Sequence, residues 1–366
     1  MISKIIFILS GILWAYISYH FYGLMEFSKV FTPKNIEKCE KLEIEMTSED
    51  LETYGDWVIG ASGDISSLFF KHLQANNAIP GFLFAANPVT MEYYRIKTYN
   101  LPNDLVFNPH GIFLYKNSTL YVISHSYSKG GERVFVFSLK EDKKIEAVYE
   151  KSIYIDDQYG VHNSLAVIAD DYFYISEFSS IPDTLEGRSF STTTDIKRNL
   201  ISLFRQGQKL KGCKIVDNNA TCEEKYYGYM PNGIAYIDQT LFLADSLTKD
   251  IKVFTIQENY DLSLISSVKL FHAPDNLRIY NREIYTSGIH KSWDMVMFLH
   301  TSKKNKKLHF IPGHVSKIYY NGSEWVSSIV ISEDILSFPT TCAINQNKIV
   351  ITGLAENYLL VCPLTS

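Results

Sequence analysis

Short runs of alternating apolar and polar residues recur along most of this chain, and polar turns separate them. Such a period-two pattern is typical of half-buried β-strands. Each repeating unit opens with a polar group and continues into two strand-like runs, and a third run often follows, as at residues 295–299. The openings are Glu49-Asp50-Leu51, Pro109-His110-Gly111, His162-Asn163-Ser164, Pro231-Asn232-Gly233, Pro274-Asp275-Asn276 and Thr341-Cys342-Ala343.

These repeats predict the fold class, an all-β, six-bladed β-propeller with four-stranded blades over residues 39–366. Outer loops of variable length account for the unequal spacing of the openings. No helix-period stretch alternates with the strands, which disfavours a doubly wound α/β fold. In a propeller the inner strand of each blade lines the central channel, so we expect the polar openings to converge at the mouth of one tunnel.

The N-terminal region has a different pattern. Residues 5–25 contain no Asp, Glu, Lys or Arg, and a helix of about 20 residues is long enough to cross a bilayer. We therefore expect a transmembrane signal-anchor helix at 5–25, after a short tail at 1–4 and before a linker at 26–38. A cleaved signal peptide is the alternative, but Tyr16, Tyr19 and Tyr22 offer no small-residue cleavage site.

Composition narrows the classes of function. The chain has 366 residues, of which 46% are hydrophobic, and its formal net charge is −5. Acidic and basic residues are interspersed along it, so the basic stripe that nucleic-acid binding requires is missing. The 25 tyrosines and 22 phenylalanines favour strands, because aromatic side chains fit a pleated, half-buried surface.

Sequons and cysteines indicate the compartment. Three Asn-X-Ser/Thr sequons lie in polar, loop-like stretches, at Asn117, Asn219 and Asn321. Cys39 and Cys362 bracket the region after the anchor, and Cys213 and Cys222 flank a short polar segment. We expect both pairs to form disulfides, the first closing the ring of strands at its seam. The propeller is then lumenal or extracellular in a single-pass membrane protein.

The polar groups at the repeat openings form a candidate metal site. They offer mainly carboxylate and amide oxygens, which suit Ca²⁺, whereas Zn²⁺ prefers imidazole and thiolate. The five candidate ligands are Glu49, Asn163, Asn232, Asp275 and Asn276. Asn and Asp also serve turn geometry by themselves, but five candidate ligands at matching positions of the repeats favour a Ca²⁺ ion in the tunnel.

These motifs, taken in order, resemble those of the paraoxonase/arylesterase family. The matching segments are Ser48-Glu49-Asp50-Leu51-Glu52, Phe107-Asn108-Pro109-His110-Gly111-Ile112, Asn232-Gly233-Ile234 and Asp275-Asn276. The resemblance covers nearly the whole region after the anchor and includes the Cys39–Cys362 pair and the Asn321 sequon. It implies a catalytic Ca²⁺ on the five candidate ligands, and a second, structural Ca²⁺ on Asp50 and the Ile112 carbonyl.

The resemblance also implies a reaction, the hydrolysis of esters or lactones. His110 matches the family's general-base histidine, His125 matches its dyad partner, and His290 matches a histidine of the substrate pocket. The Ca²⁺ ion would polarise the substrate carbonyl as a Lewis acid, while His110 would take a proton from the attacking water.

Departures from the family pattern bear on activity. The family places an acid for the structural Ca²⁺ where this chain has Ser164, so we expect the second ion to bind weakly or to be absent. An acid–histidine pair near Glu177 is also altered, because Phe178 replaces the histidine. The segment 208–230 carries an additional cysteine pair and a sequon, and we interpret it as an elaborated loop near the rim of the tunnel.

Two functions from different classes are consistent with these features. The first is a Ca²⁺-dependent arylesterase or lactonase that meets apolar substrates at a membrane. The second is a non-catalytic helper. The chain resembles membrane-anchored invertebrate members of the family that act as chaperones or accessory subunits of degenerin-type sodium channels, which implies a location in the endoplasmic reticulum or plasma membrane. The Ca²⁺ ligands and both dyad histidines favour the first hypothesis, whereas the anchor and the weakened second site favour the second.

Overall fold

The strands of this chain form an all-β propeller in a computed structural model. It describes residues 10–11, 14–16, 18–19, 21–23, 25–63, 80–103, 105, 107–126, 131–155, 161–179, 208–303 and 309–364. Within that part of the chain, four sheets have four strands each and one sheet has nine. One twelve-residue helix, α1 (Ser292–Lys303), lies between two strands of the same blade.

The four-stranded blades are antiparallel. One contains β2 (Ser48–Tyr54), β3 (Trp57–Ser62), β4 (Phe82–Ala86) and β5 (Tyr93–Arg95). The next two contain β15 (Pro231–Ile237), β16 (Thr240–Asp245), β17 (Asp250–Ile256) and β18 (Leu262–Lys269), and β19 (Ala273–Tyr280), β20 (Glu283–Ile289), β21 (Gly313–Tyr320) and β22 (Trp325–Glu333). The last contains β23 (Pro339–Asn345), β24 (Lys348–Gly353), β25 (Tyr358–Pro363) and the chain's first strand, β1 (Glu40–Glu43).

The prediction of six four-stranded blades is wrong, because strands 97–228 form one nine-stranded sheet. Its strands are β6 (Lys97–Tyr99), β7 (Pro109–Tyr115), β8 (Thr119–Ser126), β9 (Gly131–Glu141), β10 (Ile145–Ile155), β11 (Val161–Ala169), β12 (Tyr172–Ser179), β13 (Gln208–Val216) and β14 (Asn219–Gly228). The outer strands β10 and β14 pair in parallel, Tyr154 with Asn219 and Ile155 with Ala220. This pairing between strands far apart in sequence joins what the repeat pattern treats as separate units.

Tight turns join the first two strands of four repeating units. Pairs of consecutive residues with positive φ stand at Lys116-Asn117, Asp238-Gln239, Asn281-Arg282 and Gln346-Asn347. Positive φ at both central residues is the type I′ geometry, whose twist matches that of the flanking strands. Each pair contains an Asn or Asp, the residue types that best tolerate this conformation after glycine. The sequon Asn117 lies in one of these turns, and all three sequon asparagines are exposed.

The hydrophobic core fills the spaces between neighbouring sheets. Phe242 of β16, for example, belongs to the same buried cluster as Leu277 of β19 and Ile318 of β21, and all three are fully buried. Each blade therefore depends on its neighbours for burial of its apolar faces. This packing holds the first strands of the sheets, which carry the polar openings, in fixed positions relative to one another.

Two local predictions are wrong. Residues 295–299 were expected as a strand and lie in α1, which has Asp294 in its first turn. A short apolar run does not by itself distinguish helix from strand. The segment 208–230 was expected as a loop, but most of it forms the hairpin of β13 and β14, in which Cys213 pairs with Cys222 across the strands. Several of its charged residues, such as Glu223 and Glu224, face solvent, which gives the segment a loop-like composition.

The predicted transmembrane helix at residues 5–25 is not supported. The described residues between 10 and 25 are helical, but no helix in the part of the chain that the structure describes is long and apolar enough to cross a membrane. The prediction depended on the absence of charge over residues 5–25, and residues 1–9, 12–13, 17, 20 and 24 lie outside the described part.

Both predicted disulfides are confirmed. Cys39 bonds to Cys362 across a sequence separation of 323 residues, and Cys213 bonds to Cys222 across 9. The first lies beside the pairing of β1 with β25, which brings the beginning and the end of the described strands into one sheet. The disulfide therefore holds β1 against β25, two strands that are far apart in sequence.

We expect the two disulfides to contribute very differently to stability. In the chain-entropy model, the longer loop restricts the unfolded chain by about 3 kcal/mol more than the shorter one. The double variant Cys39→Ala/Cys362→Ala should therefore lose more free energy of unfolding in urea than Cys213→Ala/Cys222→Ala. Equal losses would contradict this assignment of the long disulfide as the clamp.

Candidate functional site

Irregular pairing in the first strands of the sheets positions the candidate ligands. The strands β2, β7, β11, β15 and β19 each shift register against their neighbour where the polar opening lies. The residues within these shifts are Glu49, His110, Asn163, Asn232, Asp275 and Asn276. A bulge leaves residues outside the ladder and redirects their side chains. Residues that a regular strand would distribute over two faces can therefore face one site.

Glycines after two of these residues allow the strands to approach. A Cβ atom on Gly111 would collide with the carbonyl oxygen of Asn163, and one on Gly233 would lie 2.5 Å from the Cα of Asn276 and from the carbonyl oxygen of Asp275. Only glycine leaves room for such backbone contact. The His-Gly and Asn-Gly motifs of the sequence thus reflect close packing of neighbouring first strands.

Four of the predicted site residues form one contiguous polar group. The Asn276 side-chain amide donates to Glu49 Oε1 at 2.7 Å. The same Glu49 oxygen lies 3.7 Å from His110 Nε2, and that nitrogen is 3.2 Å from Asn163 Nδ2. Three sheets therefore contribute to this group, and the predicted convergence of Glu49, His110, Asn163 and Asn276 is observed.

The two remaining candidate ligands adjoin this group. The Asn232 side chain donates a hydrogen bond to Asp275, and the charge of Asp275 acts on Glu49. Asn232 and Asp275 therefore lie beside this group. Asn232 Nδ2 also donates to Ser246 Oγ at 3.2 Å, and Ser246 Oγ donates to the Pro274 carbonyl at 2.6 Å. Ser246 thereby fixes the Asn232 amide and the backbone just before Asp275.

One oxygen of every candidate ligand lacks a hydrogen-bond partner among the described residues. These buried atoms are Glu49 Oε2, Asn163 Oδ1, Asn232 Oδ1, Asp275 Oδ1 and Asn276 Oδ1. A buried acceptor without a partner is costly, and native proteins rarely leave several together. Five hard oxygens, two of them from carboxylates, are the donor set that Ca²⁺ takes. The residues present therefore fit a bound Ca²⁺ ion.

The candidate site depends on amide oxygens. Within the described ranges, no group of three or more His, Cys, Asp or Glu residues could hold a metal ion by itself. Three of the five candidate ligands are asparagines. The asparagines are also neutral, so a bound cation would keep more of its charge than in an all-carboxylate site.

Electrostatics also favour a cation between the two carboxylates. Burial, together with the charges of Asp50 and Asp275, holds the pKa of Glu49 well above its ordinary value. Burial raises the pKa of Asp275 to about 8, although a hydrogen bond from Asn232 opposes the rise. Without a nearby cation these carboxylates resist ionisation, and a bound cation would favour their charged forms.

The two dyad histidines are adjacent, and a buried glutamate supports them. The rings of His110 and His125 meet edge to face with centroids 4.6 Å apart. Glu132 Oε1 lies 3.2 Å from His125 Nδ1 and 3.3 Å from His162 Nδ1, and it accepts the His162 backbone amide at 2.7 Å. Burial would raise the pKa of Glu132, but the two imidazoles lower it to about 2. Glu132 is therefore a buried anion that orients both rings.

His290 belongs to a different cluster. Its Nδ1 lies 2.7 Å from His314 Nε2, and the rings of Phe31 and Phe271 pack against it at 5.2 and 5.8 Å. Burial, aided by Lys29, lowers the pKa of His290 to about 4, which leaves it neutral at physiological pH. No hydrogen bond or ion pair between described residues joins this cluster to the Glu49 group. Its predicted role in a substrate pocket stays a prediction.

An arginine contacts both residues that were predicted to hold a second ion. Arg278 Nη2 lies 2.5 Å from Asp50 Oδ1 and donates to the Ile112 carbonyl oxygen at 3.2 Å. Elsewhere, Glu177, which precedes the altered position Phe178, pairs with Lys211 at 2.5 Å. The acid of the altered pair thus has a cationic partner on the adjacent strand β13.

Sequence reasoning missed Glu132, His162 and Arg278. Glu132 faces His125 across the hairpin of β8 and β9, and Arg278 interrupts the apolar run that follows Asn276. A charged residue in or beside an otherwise apolar strand was the available signal in both cases. His162 stands next to Asn163 in a repeat opening, but only the fold shows that it shares Glu132 with His125.

Comparisons with known proteins agree with the motifs. The family model described as Arylesterase matches residues 71–320 of this chain. Human serum paraoxonase/lactonase 3 is 22% identical over 262 residues, which cover 69% of this chain and 68% of that protein. The chain thus shares most of its length with a protein named as a paraoxonase and lactonase.

Solved structures show only distant similarity. The periplasmic gluconolactonase of Pseudomonas aeruginosa has a TM-score of 0.43 at 11% identity, covering 85% of this chain and 79% of that chain. Virginiamycin B lyase of Staphylococcus aureus has a TM-score of 0.47 at 8% identity, covering 90% of this chain and 99% of that chain. Similarity at this level supports no conclusion about function.

We expect Glu132 to stabilise the histidine pair and the fold around it. Glu132→Ala removes a buried charge together with the acceptor of the His162 amide, and should lower the free energy of unfolding in urea by about 3 kcal/mol. Glu132→Gln keeps an oxygen for that amide and should lose less. Glu150→Ala, at an exposed position of β10, is the matched control and should be neutral. Equal effects of Glu132→Ala and Glu150→Ala would contradict the assignment.

Proposed function

This chain belongs to the arylesterase (paraoxonase) family, and from that premise we propose that it is a Ca²⁺-dependent hydrolase of carboxylic esters or lactones. The observation that carries the proposal is the set of five buried oxygens without partners, which adjoins an imidazole that can accept a proton. The family match and the similarity to a human protein named as a lactonase support the same substrate class.

The five candidate ligands would hold the ion, which when bound supplies Lewis acidity to an ester or lactone carbonyl. The remaining chemistry belongs to the chain's own residues. His110 is buried apart from a small exposed fraction of its ring and lies at the edge of the ligand group. Its Nε2 lies 3.7 Å from Glu49 Oε1, so His110 is placed to take a proton at this nitrogen from an attacking water molecule.

His125, Glu132 and His162 would act through His110. The buried Glu132 carboxylate lies against both His125 and His162, and His125 packs edge to face on His110. We therefore assign Glu132 as a positioning residue, and His125 as the dyad partner that orients His110.

The compartment and the helper hypothesis are also proposals. The Cys39–Cys362 and Cys213–Cys222 disulfides and the exposed sequons support an oxidising, lumenal or extracellular location. A non-catalytic accessory role for a membrane channel stays a prediction, since it depends on the resemblance alone. The hydrolase is the better supported function because a specific group of atoms fits its chemistry.

We expect the purified chain to hydrolyse an aryl ester or a lactone only in the presence of Ca²⁺. His110→Gln should lower kcat by about 10²- to 10⁴-fold, the usual contribution of a general base, while calorimetry still detects Ca²⁺ binding. Asp275→Asn should weaken Ca²⁺ binding, because affinity depends on the number of carboxylate ligands. Steady-state rates with and without a chelator, together with calorimetric titration, measure both effects.

The control is Asp238→Asn, at an exposed position of a turn between β15 and β16, which should change neither rate nor affinity. The proposal fails if the wild-type chain binds Ca²⁺ but turns over no ester or lactone from a panel of aryl esters and five- and six-membered lactones. Ca²⁺ binding without turnover would favour the helper hypothesis. Activity that survives chelation would contradict the assignment of the ligand group.

A further inference from the structure

Arg278 lies at the meeting point of three first strands. Its guanidinium, on β19, pairs with Asp50 of β2 through Nη2 at 2.5 Å. The same Nη2 donates to the Ile112 carbonyl oxygen of β7 at 3.2 Å, and Nε donates to the Leu51 carbonyl oxygen of β2. The side chain is 6% exposed, so this is a buried cation held by oxygens of two other strands.

Both oxygens of the Asp50 carboxylate already accept hydrogen bonds in this arrangement. Its Oδ1 accepts the Leu51 amide at 2.9 Å and the Thr341 hydroxyl at 3.0 Å, in addition to facing Arg278. Its Oδ2 accepts the Ile112 amide at 2.8 Å. Because an ion would need to displace several of these contacts together, the residues present do not fit a second Ca²⁺.

Ser164 also uses its hydroxyl for another purpose. Ser164 Oγ accepts the Ile234 backbone amide at 3.2 Å, which links β11 to β15. The Ser164 backbone amide donates to Ser176 Oγ at 3.0 Å. The position where the family pattern has an acid for the structural ion therefore serves to connect two strands by a direct hydrogen bond.

We propose that the Arg278 guanidinium takes the place of the structural Ca²⁺ in this chain. It supplies positive charge to Asp50, and to Glu52, whose Oε2 lies 3.6 Å from Nε. Its planar fork of donors also reaches the Ile112 and Leu51 carbonyl oxygens. A guanidinium is covalently attached and always charged, whereas a bound ion depends on Ca²⁺ concentration. The first strands are thus cross-linked without a metal ion.

This inference separates stability from catalysis. The proposed catalytic ion would be the one exchangeable cation among the described first strands, and its removal would leave the Arg278 network intact. Chelation should then abolish Ca²⁺-dependent turnover while the melting temperature stays close to that of the Ca²⁺-loaded chain. The inference does not require the hydrolase proposal, because its measurements are ion counts and melting temperatures.

The test compares Arg278→Ala with the wild-type chain by calorimetric Ca²⁺ titration and thermal melting, with and without a chelator. The wild-type chain should bind no more than one Ca²⁺. In chelator, Arg278→Ala should melt about 10 °C lower, because it leaves buried carboxylates without their cation. Millimolar Ca²⁺ should restore much of that loss, since the freed Asp50, Glu52 and carbonyl oxygens can then hold an ion. Arg282→Ala, on an exposed turn of the same blade, should melt like the wild type.

Two outcomes would overturn the inference. One is a wild-type chain that binds two Ca²⁺ ions with one of them raising the melting temperature, a measurement that needs no folded variant. The other is an Arg278→Ala variant that melts in chelator at the wild-type temperature. If the wild-type chain binds no Ca²⁺ while Arg278→Ala gains Ca²⁺-dependent stability, the arginine assignment stands and the hydrolase proposal fails.

Discussion

Negative charge buried between the first strands is the constraint on which this site depends. Glu49 and Asp50 are adjacent in β2 and both are buried, and Asp275 contributes a third carboxylate from β19. Buried carboxylates are tolerated when a cation or several hydrogen-bond donors accompany them. Asp50 has both in Arg278 and its surrounding amides, whereas Glu49 and Asp275 each keep an oxygen without a partner. Asp50 is thus neutralised by the protein's own arginine, whereas Glu49 and Asp275 could take a bound cation.

Glu49 and Asp50 are adjacent in β2 but have different partners. Glu49 contacts Asn276 and His110, whereas Asp50 contacts Arg278 and Thr341. The Glu49-Asp50 dipeptide can therefore contribute one carboxylate to the proposed Ca²⁺ site and one to the ion pair with Arg278. We infer that this chain fills one of them with its own arginine and reserves the other for a metal ion.

The histidines beside the ligand group are supported by an acid that is not one of the candidate ligands. Glu132, rather than the ligand carboxylates, holds His125 and His162, and the hairpin of β8 and β9 brings it there. The His290 cluster lies apart and is kept neutral by burial. The histidines at Glu132 and the His290 cluster thus have different electrostatic surroundings, a carboxylate in the first case and burial beside Lys29 in the second.

The sequence by itself determined the strand-rich class, both disulfides and the residues that meet at the site. These follow from local or compositional signals: period-two alternation, Cys positions, and Asn, Asp and His at repeated openings before apolar runs. The sequence also indicated Gly111 and Gly233 as part of the motif. It could not show that their role is to let Asn163 and the Asp275-Asn276 backbone approach.

Only the tertiary structure decided the remaining features, because they depend on contacts between residues distant in sequence. The pairing of β10 with β14 merges strands that the repeat pattern separates, and the apolar run in α1 takes its helical form where period alone is ambiguous. Arg278 reaches Asp50 across more than two hundred residues, and Glu132 joins His125 to His162. A charge's partner is set by three-dimensional packing, so the sequence could name the acids at this site but not the cation that neutralises one of them.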